Sequence, residues 1–108
     1  MAAPLVDTIT SAPGAVLTPL YPVPTNRRAQ VRLLQVTNIA AAGKTFRIAI
    51  SPNGAAIAND HYIAYDTALA ANDRDAWSGI VLGSSDIVRV YGSDANVVFL
   101  ISLYEDDV

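Results

Sequence analysis

The sequence predicts an all-β fold: a single small antiparallel β-sandwich, jelly-roll-like or Ig-like, preceded by an extended, Pro-rich N-terminal arm. Three observations lead there. Valine and isoleucine number 11 and 9, and both are stiff at χ1 and favour strands over helices. Short apolar runs alternate with clusters of Gly, Asn, Asp and Ser, the punctuation of strands and tight turns. No amphipathic stretch of about ten residues or more carries a helical period. A chain of 108 residues is the size of one domain.

The arm is assigned to residues 1–26 and the sandwich to 27–108. Five of the six prolines fall in the arm, at Pro4, Pro13, Pro19, Pro22 and Pro24. Proline lacks the N–H that a central strand or a helix interior needs, so this stretch reads as an arm, an edge segment or both. Apolar residues run along it (Leu5, Val6, Ile9, Val16, Leu17, Leu20, Tyr21, Val23), more than a solvated linker carries. The arm is therefore expected to lie on the domain body or on a neighbouring subunit, with one further strand around Ala15 to Tyr21.

From Arg27 onward six strands are expected. In the first, Ala29 to Ile39, the apolar phase slips at Leu33-Leu34, as a β-bulge or burial on both faces requires. Lys44 to Ser51 alternates cleanly, with Phe46, Ile48 and Ile50 on one face. Pro52-Asn53-Gly54 is a turn, because Asn-Gly supplies positive φ, and Ala55 to Asn59 is an irregular loop or a short helical turn. The remaining strands are His61 to Thr67, Asp75 to Leu82, Asp86 to Tyr91 and Asn96 to Tyr104. Turns at Ala71-Asn72-Asp73, Gly83-Ser84-Ser85 and Gly92-Ser93-Asp94-Ala95 separate them. The acidic tail Glu105-Asp106-Asp107 is expected to be solvated.

Composition narrows function. A net charge of −3 and a pI near 4.7 argue against a nucleic-acid footprint, which needs clustered positive charge. The one basic knot, Arg27-Arg28 with Arg32, is too small for a groove. Without cysteine there is no disulfide framework, Cys-ligated zinc site or thiol nucleophile. The N-terminus lacks the basic region and apolar core of a signal peptide. No apolar run approaches the ~20 residues that span a bilayer, so no membrane role and synthesis in the cytosol are expected. Charged residues are only 16% of the chain, against a typical ~25%, as expected of a surface partly covered by a partner.

The segment Asp60-His61-Tyr62-Ile63-Ala64-Tyr65-Asp66 holds the only histidine and invites a catalytic or metal reading. Strand parity puts Asp60, Tyr62, Ala64 and Asp66 on one face and His61, Ile63 and Tyr65 on the other. The histidine then points away from both carboxylates. A metal site wants three or four convergent ligands, and no second histidine or cysteine is available. The acidic residues also lack the spacing of a calcium loop. Asp73-Arg74-Asp75 after a turn reads as a solvated ion-pair corner, contributing ~0–1 kcal/mol. Trp77, followed by Ile80, Val81 and Leu82, reads as core or interface packing rather than a sugar platform. The glycines form no phosphate loop, and no serine sits in a nucleophile elbow. No catalytic, cofactor-binding or metal-ligating residue is assigned, and the chain is expected not to be an enzyme.

The stretch from Gln35 to Glu105 resembles small virion structural proteins of tailed bacteriophages. Thr37-Asn38, Thr45-Phe46-Arg47-Ile48-Ala49, His61-Tyr62-Ile63-Ala64-Tyr65-Asp66, Ala71-Asn72-Asp73 and Leu82-Gly83 carry the match. It spans roughly Thr18 to Leu103, and its specificity lies in the order and spacing of the motifs. The resemblance implies a non-enzymatic β-sandwich residing in the virion, as a tail, neck or fibre component or a capsid decoration (cement) protein. Its partners would be capsid or tail subunits and copies of itself, a trimer by fold analogy. This chain departs in its N-terminal third, where Leu20-Tyr21-Pro22-Val23-Pro24-Thr25-Asn26-Arg27-Arg28 replaces a simpler lead into the first strand. Leu17, Leu20, Tyr21 and Val23 on the arm, with Tyr62 and Trp77 on the body, are the interface candidates. The alternative is a carbohydrate- or receptor-binding module that stacks ligand on Tyr62, Tyr65, Tyr91 and Trp77. An enzyme with His61 as general base ranks third.

Overall fold

The computed structural model describes residues 5–107. It is a sandwich of two antiparallel sheets built from β1 (Leu5–Ser11), β2 (Thr18–Pro22), β3 (Arg27–Asn38), β4 (Lys44–Ser51), β5 (Tyr62–Leu69), β6 (Arg74–Trp77), β7 (Ile80–Leu82), β8 (Ile87–Gly92) and β9 (Val97–Asp107). Two short 3-10 turns, Pro52–Gly54 and Asn59–His61, lie between β4 and β5. The first sheet runs β1-β9-β3-β6, with β7 also paired to β3; the second runs β2-β8-β4-β5.

β6 and β7 are one strand interrupted at Ser78-Gly79, where Gly79 adopts φ 73° and its N–H donates to the Val31 carbonyl at 3.2 Å. Counted as one, they bring the described strands to eight, and the chain crosses between sheets at every connection except β4 to β5. This order is that of a jelly roll, not of an immunoglobulin sandwich, whose first two strands are neighbours in one sheet. The strand order that patterning left open is thereby settled.

The central strands β9, β3 and β4 carry the core. On β9, Val97, Phe99, Ile101, Leu103 and Glu105 are buried while the intervening residues are not, the period-2 signature of a strand with one covered face. β4 buries Phe46 and Ile48 on the same rule. The phase slip in β3 is a bulge: the register with β9 shifts between Val31 and Leu33. The bulge lets Val31 and Leu34 both face the core, fully covered. Burying side chains such as Phe46, Phe99, Leu34 and Ile101 contributes about 1.5–3 kcal/mol each.

The stretch read as an arm lies along the domain's own body. β1 pairs with β9 over seven residues, and β2 pairs with β8 on the edge of the other sheet. An edge strand has one unpaired side, which accommodates Pro19 and Pro22 without loss of a ladder bond. A register shift between Pro19 and Tyr21 turns both Leu20 and Tyr21 inward, where they are buried with Val23. Residues 1–4 of the arm lie outside the described residues.

The C-terminal tail is also structured. β9 continues to Asp107 opposite Arg27 and Arg28, and Glu105 is buried at 4% exposure. The expected solvation of this residue is wrong: Arg27 supplies the counter-charge and Tyr21 a second hydrogen bond, so the carboxylate tolerates burial.

Two ends close the sandwich. At one, Asn38 Nδ2 lies 2.8 Å from the Ala42 carbonyl and 3.1 Å from those of Leu69 and Ala70. Its Oδ1 accepts from the Ala40 N–H at 2.9 Å. One buried amide thus ties two loops together. At the other, the Asp86 carboxylate accepts from the Asn53 and Gly83 N–H groups, both at 2.8 Å.

Candidate functional site

The outer face of the β5-β4-β8 sheet gathers three tyrosines, Tyr62, Tyr65 and Tyr91, near one cation. Arg47 lies on β4 between the inward Phe46 and Ile48, so alternation sends it outward. Directly across on β8 is Tyr91. On the other side, β5 inserts Tyr65 and Asp66 where β4 offers only Arg47, because the register steps from Phe46↔Thr67 to Ile48↔Ala64. Asp66 takes the extra residue in a left-handed conformation, φ 46°. A bulge of this kind re-aims side chains at a sheet edge.

The Arg47 guanidinium therefore sits over two rings, 4.3 Å from the Tyr65 centroid and 4.6 Å from that of Tyr91. It also donates to both Asp66 oxygens, Nε to Oδ1 at 2.6 Å and a terminal nitrogen to Oδ2 at 3.2 Å. That hydrogen bond holds the guanidinium still more firmly in its charged form. Cation, carboxylate and rings lock one another in place.

A second register step, from Ile48↔Ala64 to Ala49↔Tyr62, adds another residue at Ile63. Tyr62 and Ala64, expected on one face, separate: Ala64 joins the core, while Tyr62 and Tyr65, expected on opposite faces, meet. Their rings stand 4.9 Å apart at 85°. With Asn59 they line a concavity of about 330 Å³. Tyr65 is 56% exposed and Tyr62 half-buried.

The face assignment of His61 is corrected as well. It belongs to the 3-10 turn Asn59–His61, not to the strand, so strand parity does not apply to it. Its Nδ1 accepts from the Ala58 N–H at 3.0 Å, and its Nε2 lies 3.8 Å from Asp60 Oδ1. With Nδ1 committed to the turn, the ring closes the loop that carries Asn59. Among the described residues no group of three or more His, Asp or Glu side chains is placed to hold a metal ion.

The interface candidates divide. Leu20, Tyr21 and Val23 are buried in the chain's own core, so they offer no surface as the chain stands. Leu17 is half-buried beside them in sequence. Trp77 packs edge-on against Phe46, centroids 5.8 Å apart, on the core side of β4, away from the three outer tyrosines. Tyr62 alone of the six belongs to the outer platform. Arg47, Asn59 and Asp66 went unassigned in the sequence; the TFRIAI alternation marked Arg47 as outward, but the bulges that bring its partners to it leave no mark in composition. At the Asp73-Arg74-Asp75 corner, both carboxylates accept from the next backbone N–H, those of Arg74 and Ala76, rather than pairing with the arginine side chain.

Comparison with protein-family models, with curated proteins and with solved structures yields no significant match.

Proposed function

We propose that the chain is a non-enzymatic structural subunit of a tailed-phage virion, a tail, neck or fibre component or a capsid decoration (cement) protein. The observation that supports this most is the jelly-roll topology closed over a core of packed side chains, an architecture also used by viral capsid domains. The resemblance of the strand motifs to small phage virion proteins supports it independently. Since β1 and β2 complete the chain's own sheets, contacts to neighbours fall to loop ends, sheet faces and the free sides of the edge strands. Quantitative mass spectrometry of purified particles tests the reading: a fixed, stoichiometric copy number is expected, and absence from particles rejects it. Sedimentation of the isolated protein tests the homo-oligomer, expected as a trimer.

One observation favours a second reading, a carbohydrate- or receptor-binding module: Tyr62, Tyr65 and Tyr91 are gathered on one outer face. Lectin domains also use the jelly roll.

A further inference from the structure

We infer that the corner formed by Asn59, Tyr62 and Tyr65 is a binding site for a neutral sugar, of the size of one pyranose ring with its linked neighbours. The inference rests on the second reading above and assigns it a place and a ligand class.

The shape comes first. Two rings at 85° with centroids 4.9 Å apart make a wall and a floor, and the concavity they line is about 330 Å³, within the low range of small-ligand sites. A pyranose has an apolar face of C–H bonds and a rim of hydroxyls. One ring meets the face, while the tyrosine hydroxyls and the Asn59 amide offer donors and acceptors to the rim.

Charge then selects the ligand. The lining residues, Asn59, Tyr62 and Tyr65, are all uncharged. The nearby cation, Arg47, is already engaged by both oxygens of Asp66, so an anionic sugar finds no available counter-charge. A quaternary ammonium ion would approach a ring that already carries a guanidinium 4.3 Å from its centroid, and the two cations repel.

Rigidity is the third support. Tyr65 is clamped by Arg47, Arg47 by Asp66, and the Asn59–His61 turn by the His61 ring. A preorganised corner loses little freedom when a ligand arrives.

The test is a titration of the full chain with neutral trisaccharides of glucose, galactose and mannose, followed by backbone amide NMR shifts. Shifts confined to residues 59–66 and to Arg47 and Tyr91 are expected for at least one sugar. Tyr65→Ala should weaken that binding by about tenfold or more, and Asn59→Ala by less, with the spectrum beyond the Tyr62, Arg47, Asp66 and Tyr91 neighbourhood unchanged because both positions are exposed. The half-buried Trp77 serves as a control: its emission should stay constant through the titration and change only on unfolding. Silence toward all three sugars, or binding untouched by Tyr65→Ala, overturns the inference. Response to a sialylated trisaccharide or to choline alone also overturns it, yet leaves the binding-module reading standing; silence toward every probe removes both.

Discussion

The Tyr21 hydroxyl donates to the Glu105 carboxylate across 84 positions of sequence, joining an edge strand of one sheet to a central strand of the other. Arg27, from the neighbouring strand β3, binds the second carboxylate oxygen. All three groups come from different strands, and Glu105 is 4% exposed. The triad pins the two layers at the end where β2 turns into β3.

Tyr21→Phe should therefore destabilise the protein by about 1.5–3 kcal/mol, the cost of withdrawing a hydrogen bond from a buried charge. Equilibrium urea unfolding measures it. Glu105→Ala should cost at least as much, because it removes the carboxylate that both Tyr21 and Arg27 bind. A loss below about 0.5 kcal/mol for both variants, the range of ordinary surface substitutions, would show that the triad does not hold the layers.

Asn38 is fully buried and serves three loop carbonyls and one N–H. Asn38→Ala should cost about 2–3 kcal/mol, since several buried backbone groups lose their partner at once. Asn38→Asp removes only the donating half, and its deficit should shrink as pH falls and the carboxyl regains a proton. Denaturant midpoints of both variants between neutral and acid pH separate the two effects.

Gly92 lies against β9 so closely that an added Cβ would sit 2.6 Å from the Val97 Cβ and 3.1 Å from the Asp94 carbonyl oxygen. Its backbone does not occupy a region reserved for glycine, so the constraint is space alone. Gly92→Ala should destabilise by about 1–3 kcal/mol through overpacking. The double variant with Val97→Ala should recover little of the loss, because the Val97 Cβ that the new methyl meets remains after truncation; a thermal melt of the three proteins reads this directly.

Two surface carboxylates contribute to the acid response. The hydrogen bond from Lys44 holds the Asp94 carboxyl below its usual range, helped by the Asn96 N–H. The hydrogen bond from Arg28 does the same for Asp106. A carboxyl whose folded pKa is depressed contributes stability above its unfolded value of about 3.9 and loses it as pH falls through the folded pKa. Stability should thus be level in these groups near neutrality and decline only in acid, below about pH 4. Asp94→Asn and Asp106→Asn should each flatten that decline, and added salt should lessen the effect, since both pairs lie at the surface.

Much of the architecture was legible locally. The bounds Lys44 to Ser51 match β4 residue for residue, with Phe46 and Ile48 inward as expected, and of the two readings of the Leu33-Leu34 phase slip, a bulge or burial on both faces, the register shift shows the bulge. Two expectations failed at the same kind of place. Leu5–Ser11 was not recognised as a strand and Glu105 was left in solvent, because neither pattern is apolar enough to stand alone. Each acquires its structure from a partner far along the chain: β1 from β9, and Glu105 from Tyr21 and Arg27.

Sequence by itself determined that this chain makes strands, where most of them turn, and that Phe46 and Ile48 of β4 face inward. Those are properties of χ1 stiffness, glycine and asparagine at turns, and a period of two. Only the tertiary structure decided the jelly-roll order, the use of the proline-rich segment as two edge strands, and the meeting of Tyr62 and Tyr65 beside Arg47. The physical reason is that strand pairing is non-local and parity survives only until a bulge. One extra residue on β5 moves every later side chain to the opposite face, and a bulge is defined by the partner strand, which no short window of sequence contains.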